Sequence, residues 1–117
     1  MPPPRVLVVD DDVDVRTALR NLLQARGFVV DVAEDGLEAI EILDGRPPPS
    51  AIVADLMMPG IVGNELLEYV AARRELAGIP IAIVTGSPQY APIGLALFRK
   101  PVDAEALVEF LRSAIAR

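Results

Sequence analysis

Five side chains able to do chemistry stand at or just past the ends of aliphatic runs: Asp10 and Asp11 after Val6 to Val9, Asp55 after Ala51 to Ala54, Thr85 after Ile81 to Val84, and Lys100 shortly after Leu95 to Phe98. If these runs are parallel strands, the five side chains meet on one rim of one sheet. Carboxylates crowded there repel one another unless a hard divalent cation sits among them. An oxygen-only ligand set suits Mg²⁺, which keeps several waters and takes few protein carboxylates. A carboxylate beside such a cation can attack phosphorus to form an aspartyl phosphate, while an ammonium and a hydroxyl neutralise the transferring oxygens. Lys100 is especially informative: the chain has eleven basic residues, ten are arginine, and this one compact ammonium is followed at once by Pro101.

Composition narrows the chemistry further. The absence of cysteine and histidine excludes thiol nucleophiles, disulfides, Cys/His zinc sites, histidine general bases and any role as a phosphohistidine donor. A net charge of −6 without a basic stripe argues against direct nucleic-acid or anionic-membrane binding. No apolar run approaches the ~20 residues of a membrane span, and Met1 to Pro4 lacks the charged and apolar regions of a signal peptide. The expectation is a cytoplasmic chain whose 117 residues form one domain, 1–117, large enough for a real core.

The elements that must position the five residues alternate strand and helix, the pattern of repeated βα units on a parallel sheet. Arg5 to Val9 reads as a first strand, and Val15, Ala18, Leu19 and Leu22 mark a helix face ending near Gly27. Phe28 to Val32 reads as the second strand. Asp35 and Glu38 form a capping box for a helix burying Leu37, Ile40 and Leu43. Pro47 to Pro49 make a stiff loop before the third strand, Ala51 to Ala54. Asn64 to Leu76 reads as a helix, Ile81 to Val84 and Leu95 to Phe98 as strands, and a last helix from near Asp103 carries Leu107, Phe110, Leu111 and Ala114 inward. The expected fold is α/β, a doubly wound, flavodoxin-like, five-stranded parallel sheet of order 2-1-3-4-5. Its crevice lies beyond the carboxyl ends of the first and third strands, where Asp10, Asp11 and Asp55 fall.

In order along the chain, VLVVDDD, AEDGLEA, ADLMMPGIVGNELL, IAIVTG and FRKPVD resemble the signature segments of response regulator receiver domains in two-component signalling, over essentially the whole length. The resemblance implies that Asp55 accepts a phosphoryl group from a histidine kinase or a histidine phosphotransfer protein, with Mg²⁺ as cofactor and a downstream protein as possible partner. It implies that Asp11 binds Mg²⁺ directly, Asp10 mainly through water, and the Met57 carbonyl completes the protein ligands beside Asp55. Thr85 would hydrogen-bond the phosphoryl group, Lys100 would pair with it, and the Lys100–Pro101 bond would be cis.

Simpler readings compete. Acids at a helix start often only cap it, the role expected of Asp12 or Asp14. Asp10, Asp12 and Val13 also fit the start of a haloacid-dehalogenase-type phosphatase with Asp10 as nucleophile, but no Gly-Asp pair follows Lys100 and Asp55 would be idle. A calcium loop beginning at Asp10 fails, with Val15 where glycine is needed. The remaining alternative is an unphosphorylated, receiver-like interaction module.

The chain also departs from the family. Val62 replaces a common acid, Leu97 stands where many members place a rotating aromatic, and Phe98 would face the other side of the sheet. The resemblance implies that Met57 and Ser87 influence how attacking water is placed; neither is suited to orienting it, so slower self-dephosphorylation than in a Met57→Asn variant is expected. Fourteen residues separate Thr85 from Lys100, too few for a helix of ~8, a strand of ~5 and two connections of ~4. Gly86 to Gly94 is therefore expected to form a mobile loop or one short turn, the fourth helix being reduced or missing, with Tyr90 as the residue that reads out phosphorylation.

Overall fold

The computed structural model describes residues 2–55, 63–88 and 94–116. Its strands are β1 (Arg5–Val9), β2 (Val29–Ala33), β3 (Ala51–Ala54), β4 (Ile81–Thr85) and β5 (Ala96–Arg99). Among the described residues its helices are α1 (Val13–Ala25), α2 (Gly36–Gly45), α3 (Gly63–Ala72) and α4 (Ala104–Ile115). The strands form one sheet of order β2-β1-β3-β4-β5, parallel throughout. This is the doubly wound, flavodoxin-like order expected from the sequence.

Period-two alternation along the strands divides the core into two layers. Val6, Val8, Val53 and Val84 face Leu19 and Leu23 of α1 and Leu107 and Leu111 of α4. On the opposite face, Leu7, Val9 and Ile52 meet Ala39 and Leu43 of α2 and Leu66 and Val70 of α3. The first layer is fastened at its far edge, where Phe98 and Phe110 stack edge to face at 5.7 Å. Arg26 pairs with Glu105, and Arg112 donates to the Arg26 carbonyl at 3.0 Å, tying the end of α1 to α4.

Several boundaries and faces differ from the sequence reading for definable reasons. Phe28 belongs to the end of α1 rather than to β2: Gly27 takes φ +92°, and the Phe28 N–H returns to the Leu23 carbonyl at 3.0 Å. That is a Schellman closure, which delays the strand by one residue. The third helix stops at Ala72, yet Leu76 is still buried, because turns through Arg73 carry it into the core without helical backbone. On α2 the sheet-facing residues are Gly36, Ala39 and Leu43. Leu37 is two residues from Ala39, so at 3.6 residues per turn it lies about 160° away, and it is 53% exposed. On α1 the fully buried pair is Leu19 and Leu23, whereas Ala18 is exposed and Leu22 half-buried. The last strand runs from Ala96 rather than Leu95.

Ten residues separate β4 from β5, and those described carry no α-helix. Gly94, in a turn two residues before β5, takes φ +94°. Residues 89–93, including Tyr90, and residues 56–62, including Met57, lie outside the described residues.

The two leucines provide a test of this packing. Leu23→Ala should lower the unfolding free energy by about 3 kcal/mol through lost transfer energy and a residual cavity. Leu37→Ala should change it by no more than about 0.5 kcal/mol. Urea unfolding with an unchanged slope measures both, and equal losses would show that Leu37 is packed.

Candidate functional site

The ends of four strands build the site, and main-chain hydrogen bonds extend the ladder to deliver each residue. The Asp10 N–H donates to the Ala33 carbonyl at 3.1 Å, and the Asp55 N–H donates to the Val9 carbonyl at 2.9 Å. Thr85 is the last residue of β4, and its carbonyl accepts from the Lys100 N–H at 2.9 Å. Asp10, Asp55 and Thr85 are buried, while Asp11, one residue further along the chain, is exposed. The Lys100–Pro101 bond is cis, as expected.

Side chains then close the cluster. Lys100 Nζ donates to Asp10 Oδ2 and to Asp55 Oδ2, each at 2.8 Å. Asp10 Oδ1 accepts the Asp12 N–H at 2.9 Å, so both oxygens of that carboxylate are engaged. Asp12 in turn caps α1, accepting from Asp14 N at 2.9 Å and Val15 N at 3.3 Å. Thr85 Oγ1 accepts the Ser87 N–H at 3.0 Å, leaving the hydroxyl's single proton for another acceptor.

The charge balance is set by burial against pairing. Burial by itself lowers the Lys100 pKa, but the hydrogen bonds to Asp10 and Asp55 outweigh it and hold the ammonium above its ordinary 10.5. The amine is therefore charged at every physiological pH.

Carboxylate oxygens of Asp10, Asp11 and Asp55 all lie within 4.8 Å of one another. Three hard, anionic oxygen donors at that spacing fit a cation that prefers oxygen and retains water. The structure thus places Lys100 in contact with Asp10 and Asp55, sets Asp11 within 4.8 Å of those two carboxylates, and joins Thr85 to Lys100 through the main chain. Met57 lies outside the described residues. Beside Lys100, an apolar groove of about 660 Å³ opens between Val15, Ala18 and Leu22 of α1 and the Pro101–Val102 turn. Ala18 and Leu22 lie on the apolar face of α1 that the sequence marks, and apolar periodicity does not distinguish a buried face from a groove wall.

One contact had no sequence signal. Arg16, in the second turn of α1, donates from Nη1 to the Asp10 carbonyl at 2.7 Å. A single arginine on an amphipathic helix is usually a solvated charge, so only the three-dimensional turn reveals its partner.

Comparison with known proteins places this arrangement. A sensor histidine kinase from Ectopseudomonas mendocina, TmoS, is 39% identical over 85 residues, covering 73% of this chain and 8% of its own length. The response regulator MprA of a Mycobacterium strain is 32% identical over 129 aligned residues, covering 98% of this chain and 52% of its own length. The chain thus spans about half, or far less, of these relatives. The crystal structure of the receiver domain of a Pseudomonas aeruginosa sensor histidine kinase, PA1611, superposes with a TM-score of 0.88 at 20% identity, covering 98% of this chain and 99% of that one. That structure holds a magnesium ion in its active-site cleft. The family model of the response regulator receiver domain matches residues 6–112, and the chain belongs to that family.

Proposed function

We propose that Asp55 is the phosphoacceptor of this two-component receiver and takes its phosphoryl group from a histidine kinase or histidine phosphotransfer protein. The observation that carries the reading is Lys100 Nζ at 2.8 Å from both Asp55 and Asp10, with Asp11 completing a three-carboxylate cluster. In the transfer, an Asp55 carboxylate oxygen forms a bond to phosphorus as the phosphorus–nitrogen bond of the donor imidazole breaks, and the electron pair stays on that nitrogen. The Lys100 ammonium shifts from pairing with the free carboxylate to pairing with a phosphoryl oxygen. The Thr85 hydroxyl donates to a second one. The donor histidine must come from a partner, since this chain has none.

Asp10, Asp11 and Asp55 are the residues that would hold Mg²⁺, consistent with the donor set and with the magnesium found in the PA1611 receiver. Bound there, the cation would supply positive charge to the phosphoryl oxygens. Asp10 is less suited than Asp55 to be the nucleophile because it is more deeply buried, 1% exposed against 6%. Asp10 is accordingly assigned to binding, in disfavour of the phosphatase-like reading.

With Mg²⁺ and acetyl phosphate, the intact mass should rise by one phosphoryl group, and Asp55→Asn or chelation should abolish the gain. Labelling retained in Asp55→Asn but lost in Asp10→Asn would overturn the assignment. No labelling of the wild-type chain would favour the unphosphorylated interaction module.

Lys100 generates a second expectation. In metal-free protein, Lys100→Met leaves two buried carboxylates without their shared counter-charge. Breaking a fully buried pair costs about 3–5 kcal/mol; with the amine partly solvated, a loss of about 1–3 kcal/mol is expected. Added Mg²⁺ should recover much of it. Because folding raises the Lys100 pKa, its contribution is complete below the unfolded value near 10.5 and is lost as pH climbs through the folded value. The stability gap between wild type and variant should hold from pH 7 to about 10 and close above. Denaturant titrations across that range measure it, and a gap that instead closed toward pH 7 would contradict the pairing.

A further inference from the structure

We infer that Arg16 is a positioning residue for the divalent-cation site, acting through the main chain of Asp10; the inference rests on the reading of that site as a Mg²⁺-dependent phosphoacceptor centre. Asp10 is held at every polar group it has. Its N–H is bound to Ala33, its Oδ1 to the Asp12 N–H and its Oδ2 to Lys100. Its carbonyl, the first past the end of β1, accepts from Arg16 Nη1 at 2.7 Å. Among the described residues the ion pairs do not include Arg16, so its guanidinium serves as an anchor for that carbonyl rather than as a carboxylate's partner.

The consequence lies in what the anchored peptide leads to. The Asp10 carbonyl belongs to the peptide that joins Asp10 to Asp11, so anchoring it restrains the backbone from which the exposed Asp11 side chain projects. Of the three carboxylates, Asp11 has the least packing to hold it. A fixed peptide plane lowers the entropy lost when the three oxygens close on a cation. Residues that orient metal ligands without touching the metal typically change its affinity 10–100-fold when removed.

Charge and position pull in opposite directions, which makes the inference testable. Arg16 puts a cation close to the acidic cluster, and by electrostatics alone its removal should tighten Mg²⁺ binding. Loss of the anchor should weaken it. Mg²⁺ titration of the metal-free chain, followed by the amide and carbonyl chemical shifts of residues 10–12, reads the affinity directly without phosphorylation. Arg16→Met is expected to bind Mg²⁺ about tenfold more weakly, with a displaced Asp10 carbonyl resonance. Arg16→Lys, which keeps both charge and donor, should restore most of the affinity and the resonance. Arg16→Leu, for use if the Met variant does not fold, also removes the donor and should likewise weaken binding. Unchanged or tighter binding in a folded Met or Leu variant overturns the inference, while the phosphoacceptor reading stands. A wild-type chain that binds no Mg²⁺ at these resonances overturns both.

Discussion

Two carboxylates removed almost entirely from water, one ammonium away from each other, are the constraint around which the rest of this molecule is arranged. Asp10 and Asp55 are 1% and 6% exposed, and isolated ionised carboxylates in such places are strongly disfavoured. Lys100 makes the arrangement tolerable by donating to both at 2.8 Å, and the Asp12 N–H takes a further oxygen of Asp10. The parallel sheet is what allows one amine to serve both. Adjacent parallel strands end on the same side, so β1 and β3 present their acids together, and the chain leaving β5 returns the lysine to them. An antiparallel neighbour would have sent one of the three to the opposite rim.

The same arrangement is poised for exchange. The pairing of Lys100 with free carboxylate satisfies the site without a ligand, yet each element of it has a counterpart in the proposed phosphorylated state, where a phosphoryl oxygen takes the place of a carboxylate oxygen. The amine keeps its charge through such an exchange because the two acids hold its pKa above 10.5 against the opposing effect of burial. A site that merely needed neutrality would be more stable with apolar residues of similar volume.

Most of the fold was readable because parallel strands buried on both faces appear as short aliphatic runs, and because caps are written in single residues. Asp12, Asp35 and Asp103 accept from the first turns of α1, α2 and α4 as side-chain chemistry dictates. The positions of the five candidate residues at one rim were readable for the same reason: each stands at or just past a run whose end is plain. What was not readable depended on long-range geometry. Leu37 has the apolar character of a core residue, but the sheet-facing direction of α2 is set by Gly36 and Ala39, whose small size lets the helix approach. Leu76 followed the helical period without being helical, since a turn delivered it to the same core. Arg16 had no pattern at all, because its partner is a main-chain carbonyl, which sequence does not mark.

The connection from β4 to β5 has a structural consequence at the sheet's edge. A parallel sheet is ordinarily covered on both faces by its crossover helices, and a crossover with a helix takes about ten to twelve residues or more. Here ten residues are available, and the described ones are not α-helical. Alternation then sends Phe98 inward against Phe110, while Leu97 and Arg99 emerge on the other face, Leu97 being 44% exposed. Next to them, Leu67, Val70, Ile79, Ile81 and Leu95 wall a groove of about 280 Å³. Because the Thr85 carbonyl accepts from the Lys100 N–H and Thr85 pairs in register with Arg99, a shift of Thr85 toward a phosphoryl group would act on β5 through the ladder itself.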